Sequence, residues 1–239
     1  MLIGNSSGAA LALDFALAHP QMVQALVLLG PVVHGMPTSE YFSERGSHNS
    51  APLQRGDIDG AAKAWSNDRF LIAGDDQRAR GKLYDFLRNN PQNLKVSGEF
   101  ERRPSPPTVS RLHEIQAPTL ILVGEADIGD VFAYAGAIQA ALPLASFEIW
   151  KGTGHLIQLQ NPRRLVSRFR DFLALAERRE VNLPAPVLDR YVGAYALSKS
   201  SVRILRTEGR LILAIPGQPY YRLFAAPAAS WSFLGNRTV

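Results

Sequence analysis

The stretch MLIGNSSGAALAL (Met1–Leu13) changes character at its centre. Met1 to Gly4 reads as the end of a strand. From Gly8 to His19 the apolar residues fall at helical spacing, with Ala9, Leu13, Ala16 and Leu17 on one face and Pro20 as the stop. Between the two lies Gly4-Asn5-Ser6-Ser7-Gly8. A serine on a strand-to-helix turn has strained backbone angles, so small residues are needed two positions to either side. Ser6 has glycines at both places and Ser7 does not, which selects Ser6 as the candidate nucleophile. Its hydroxyl would stand clear of the backbone at a helix N-terminus.

The next segment, VQALVLLGP (Val23–Pro31), is apolar without alternation. Such a run suits a strand buried on both faces of a parallel sheet, so the opening reads strand, turn, helix, strand. From Val32 to Thr108 the chain turns polar. Two helices are expected here, over 57–70 and 75–90, before the proline-rich RRPSPPT. This segment (32–108) reads as an excursion from the sheet, placed where a lid or cap would go. APTLILVGEAD (Ala117–Asp127) returns to buried strand character, with a helix expected over 131–141. SFEIWKGTGH (Ser146–His155) is a further strand ending in a glycine-rich turn. An amphipathic helix is expected over 161–180, with Pro162 at its start and Leu165, Phe169, Phe172, Leu173 and Ala176 as its buried stripe.

Residues 181–187 read as a linker. After it the period switches to two, in short runs such as VRILRT and RLILAI. The expected organisation is thus an α/β unit over 1–180, the linker, and a small antiparallel all-β module over 188–239.

With 46% hydrophobic and 20% charged residues, the 239-residue chain can bury a core. Its net charge of +5 comes from arginines spread along the chain, which argues against a nucleic-acid footprint. Cysteine is absent, so disulfides, thiolate chemistry and cysteine-ligated zinc are excluded. The histidines show no metal-ligand spacing, and no metal or cofactor is expected. Asp14 interrupts the first apolar run, no basic residues precede it, and no stretch reaches the length of a membrane span. A soluble, cytoplasmic protein is the expectation.

Two further residues join Ser6 at the C-terminal ends of expected strands, where ligands bind in open α/β sheets. They are Asp127 in LVGEAD and His155 in GTGH. A serine hydroxyl is a poor nucleophile until an imidazole removes its proton, and the imidazole needs a carboxylate to fix its tautomer. The order Ser6, Asp127, His155 is one of the chain orders in which this triad occurs. Asp127 also reads as a helix N-cap, with Asp130 as the competing acid. The remaining histidines look unremarkable: His19 ends a helix, and His34, His48 and His113 fall in loop-like contexts.

GNSSGAALALDFALAHPQMVQALVLLGP, IQAPTLILVGEADIGD and KGTGHLIQLQNPRRLVSRFRDFL together resemble the α/β-hydrolase superfamily, in its lidded esterase and lactonase-like group. The resemblance covers about residues 1–175. It implies Ser6 as nucleophile, His155 as general base and then acid, and Asp127 as its orienting partner. It also implies the Ser7 backbone N–H as an oxyanion donor and a small acyl compound as substrate. The tail from Leu188 resembles a lipocalin-like β domain found appended to β-lactamase-related hydrolases. Family members place several strands and an oxyanion loop ahead of the elbow. The expectation here is therefore the C-terminal half of the parallel sheet, its edge exposed and available for oligomerisation. A binding module without catalysis, a haloperoxidase and a C–C bond hydrolase are the alternative functions.

Overall fold

The computed structural model describes residues 1–94, 103–142, 144–176, 183–197, 200–207, 209–216, 221–226 and 230–233. Expected features at 95–102, 177–182 and 234–239 lie outside these residues. They include the end of the long helix, the first linker positions and the chain's last residues.

Four parallel strands form one sheet in the order β1 (Leu2–Asn5), β2 (Leu26–Leu29), β3 (Thr119–Gly124) and β4 (Ala145–Trp150). In β2 and β3 successive side chains go to opposite faces, and both faces are covered. Leu26, Leu28, Ile121 and Val123 pack with helix α1 (Ser7–Ala18) and helix α5 (Gly129–Ala141). Val27, Leu29, Leu120 and Leu122 face the other way. They pack with Trp150 and with Leu165 and Phe172 of helix α7 (Pro162–Ala176). This two-sided burial is why the strands read as unbroken apolar runs. β1 pairs only with β2, and Ile3 on it is 48% exposed.

The described residues of the excursion between β2 and β3 include the α-helices α2 (Glu40–Ser50), α3 (Ile58–Asn67) and α4 (Gln77–Asn89). The last two fall where the sequence places helices. α2 was not expected, and it puts His48 on a helix instead of in a loop. Capping starts all three: Ser39 accepts from Phe42 N, Asp57 from Gly60 N and Asp76 from Ala79 N. Leu71, Ile72, Ala79 and Leu83 bury a small core here. Leu156 and Leu159, beside helix α6 (Ile157–Gln160), pack against it.

Beyond residue 192 the described residues form a five-stranded antiparallel sheet in sequential order. Its strands are β5 (Gly193–Leu197), β6 (Ser200–Thr207), β7 (Arg210–Ala214), β8 (Tyr221–Ala226) and β9 (Ser230–Phe233). Val202, Leu211, Leu213 and Leu223 make its core, joined by Leu188. The segment expected as a linker contains a helical turn, α8 (Ala185–Leu188), and Leu183 packs against the same core.

Candidate active site

The turn after β1 carries Ser6 at φ 54° and ψ −121°, and Ser6 is the sole non-glycine residue with positive φ among those described. Such a conformation costs on the order of 1–3 kcal/mol and persists only where the surroundings impose it. Here Ser6 N donates to Leu29 O on the neighbouring strand (3.0 Å), and Ser6 O accepts from Ala9 N (2.9 Å). The Ser6 hydroxyl does not cap its own helix. Close packing of β1 on α1 explains the first glycine, because a Cβ on Gly4 would sit 2.3 Å from Gly8 O. The second glycine has a different status: a Cβ on Gly8 would meet nothing within 4 Å. Two small flanking residues were expected, and only one is sterically required.

His155 follows β4 by several residues. The strand ends at Trp150, and the expected glycine-rich turn carries the chain from there to His155. His155 Nδ1 lies 2.7 Å from Asp127 Oδ2, in a pair whose residues are 8% and 7% exposed. The other carboxylate oxygen, Oδ1, accepts from Ile128 N at 2.8 Å. Asp127 thus faces the imidazole, but it is not the expected helix N-cap: that position belongs to Ile128, and no side chain caps α5. The competing acid, Asp130, turns away to accept from Ser39 N (2.6 Å) and Ser39 Oγ (2.7 Å).

Asn5, Ser6, Asp127 and His155 line one cavity of about 510 Å³. Its other walls come mainly from the excursion, through Phe42, Arg45, Trp65, Leu83 and Leu87. A volume of this size suits a small organic molecule. No hydrogen bond joins Ser6 to His155 among the described residues, a common state for catalytic groups without a substrate. Ser7 takes the first position of α1, where backbone N–H groups lack helical partners. Its side chain points away from the cavity into solvent.

Two supporting residues, Asn5 and Gln160, gave no sign in the sequence. Asn5 Nδ2 donates to Leu29 O (3.0 Å) and His155 O (3.3 Å), tying the serine turn to the histidine turn. Gln160 Oε1 accepts from Ala73 N (3.0 Å) and Gly154 N (2.8 Å), binding the histidine turn to the excursion. His155 N itself donates to Phe70 O at 2.7 Å. Gly30, at the end of β2 with φ 48°, leaves room for the imidazole. A Cβ there would lie 2.7 Å from His155 Nδ1 and 3.1 Å from Asp127 Oδ2. A glycine after an apolar run was legible, but its approach to His155 depends on the tertiary fold.

No group of acidic, histidine or cysteine residues suited to a metal ion occurs among the described residues. None of their helices is long and apolar enough to cross a membrane.

A parallel sheet with a serine turn after β1, an acid after β3 and a histidine after β4 defines an α/β-hydrolase fold. The chain belongs to the Alpha/beta hydrolase family, whose profile matches residues 1–168. Among curated relatives, it is 30% identical over 182 residues to 2-hydroxy-6-oxononadienedioate/2-hydroxy-6-oxononatrienedioate hydrolase 2 of Pseudomonas putida. It is 26% identical over 178 residues to the corresponding hydrolase of Paraburkholderia phymatum. The alignments take in 72% of this chain and 62% and 61% of those proteins, so the chain spans less than two thirds of their length. Among solved structures, a thermophilic esterase from Thermogutta terrifontis shares the fold with a TM-score of 0.57 at 20% identity. That match covers 73% of this chain and 64% of the esterase. The five-stranded module lies beyond the matched residues.

Proposed function

We propose that this chain carries the catalytic centre of a serine hydrolase acting on a small ester, lactone or related acyl compound. The observation that supports it most is the buried His155–Asp127 pair opening on the same cavity as the strained Ser6. With Nδ1–H given to Asp127, Nε2 is left to accept a proton. His155 removes the Ser6 hydroxyl proton as Oγ attacks the substrate carbonyl, and Asp127 stabilises the imidazolium that forms. The Ser7 N–H, at the positive end of α1, faces the developing oxyanion. His155 then gives its proton to the leaving group. Water, activated by the same imidazole, releases the acid and restores Ser6. Residues 32–108 act as the cap that shapes the acyl pocket.

The test is turnover of a short-chain 4-nitrophenyl ester. It is expected to disappear in Ser6→Ala and in His155→Ala, and equal rates in the wild-type chain and both variants would refute the assignment.

A second reading uses the same triad for C–C bond hydrolysis, and the curated relatives favour it. A substrate named as a 6-oxo dienedioate presents its electrophile as a ketone, and hydrolysis at that carbon breaks a carbon–carbon bond. Loss of the absorbance of a 2-hydroxy-6-oxodienoate, with no turnover of 4-nitrophenyl esters, would select this reading.

A further inference from the structure

The cavity that holds Ser6, Asp127 and His155 is also lined by a cation whose hydrogen-bonding capacity is unused. Arg45, on α2, has a side chain only 13% exposed. Its Nε lies 2.7 Å from Asp68 Oδ2, yet the N–H is not aligned for a hydrogen bond, so the contact is ionic. The ring of Phe70 lies 5.3 Å from the guanidinium carbon. Neither Nη donates to a protein acceptor among the described residues. A guanidinium offers five N–H donors, and leaving them without acceptors in a largely buried place is costly.

The local charge points the same way. Asp68 is occupied, accepting from Phe70 N at 2.8 Å and from Asn49 Nδ2 at 2.6 Å. A second guanidinium, Arg69, stacks on the same Phe70 ring at 5.0 Å. Arg45 is the one arginine or lysine among the residues that line the cavity. The other acid on the wall, Asp127, is engaged by His155 and by Ile128 N. The rest of the lining is mostly apolar, including Phe42, Leu83, Leu87 and Ile128. Such a wall fixes orientation through its few polar groups.

We infer that Arg45 is the specificity-determining residue of this cavity, taking through its Nη atoms the carboxylate of an anionic substrate whose reacting carbonyl lies at Ser6. The inference rests on reading Ser6 as the nucleophile of that cavity. Asp68 and Phe70 position the guanidinium, and a planar carboxylate meets its fork with two charge-assisted hydrogen bonds. The substrate class is a monoanionic acyl compound with an apolar middle and its carboxylate remote from the scissile bond.

The probe is 5-oxo-5-phenylpentanoate, which has no bond to hydrolyse, compared by calorimetry with its neutral primary amide. The acid is expected to bind about tenfold tighter or more. Arg45→Gln should remove that advantage and leave amide binding unchanged, whereas Arg45→Lys should keep part of it. If Arg45→Gln fails to fold because Asp68 is left alone, the double variant Arg45→Gln/Asp68→Asn removes both charges together. Equal affinity for acid and amide in the wild-type chain would overturn the inference. So would an advantage that persists without Arg45, as a purely structural arginine would allow. Labelling of Ser6 by a fluorophosphonate separates the two readings. Labelling without acid preference defeats the anion subsite alone, and acid preference without labelling defeats the hydrolase reading alone.

Discussion

Two aspartate–histidine pairs of nearly the same geometry occur among the described residues. His155 Nδ1 lies 2.7 Å from Asp127 Oδ2, and His34 Nδ1 lies 2.6 Å from Asp14 Oδ2. Both imidazoles are almost fully buried. They differ in what surrounds them. Asp127 and His155 stand at strand ends on the cavity that holds Ser6. Asp14 is in the middle of α1, and its second oxygen accepts from Thr108 Oγ1. That pair links α1 to the segment after β2 and to the turn before β3, and His34 does not line the cavity. A histidine held by a carboxylate is thus a common structural device. In the proposed function, the serine and the room for a substrate beside it are what suit one of the two pairs to catalysis.

The largest effects are expected at the first pair. Ser6→Ala and His155→Ala should each lower ester turnover by about 10⁴-fold or more with the fold intact, measured as kcat/KM. Retained turnover in either variant would break the distinction between the pairs. Next comes Gly30→Ala, which adds a methyl 2.7 Å from His155 Nδ1. A displacement of that order should cost about 10²-fold in kcat. An unchanged kcat would mean that the imidazole has slack.

The second pair should respond the other way. His34→Ala is expected to lower stability by about 1–3 kcal/mol in urea denaturation and leave the turnover of folded protein unaltered. A kcat loss in folded His34→Ala would give that pair a functional role. The smallest effects separate the two elbow glycines. Gly4→Ala should destabilise by about 1–3 kcal/mol through overpacking. Gly8→Ala, in open space within a helix, should gain roughly 0.5–1 kcal/mol. Equal effects in the same denaturation series would count against the packing of β1 on α1.

What could be read from the sequence follows the same division. As candidates, Ser6 and Asp127 were legible because each follows an apolar strand closely, and His155 because a glycine-rich turn leads to it from the last strand of the parallel sheet. The all-β tail was legible from its period of two. Helix α2 was not: EYFSERGSHNS has little apolar periodicity, and its start depends on the Ser39 cap held by Asp130 from a distant helix. His34 lies in a turn, as expected, but its partner Asp14, 20 positions away, gave no sign in the sequence. Asn5, Gly30 and Arg45 carry no motif. Their importance arises only when the histidine turn and the excursion fold against the elbow.

The most direct measurement of the central claim is peptide mapping after treatment of the whole chain with a fluorophosphonate. One adduct is predicted, on Ser6, absent from His155→Ala and undiminished in His34→Ala. An adduct on another serine, or labelling that depends equally on both histidines, would contradict the account.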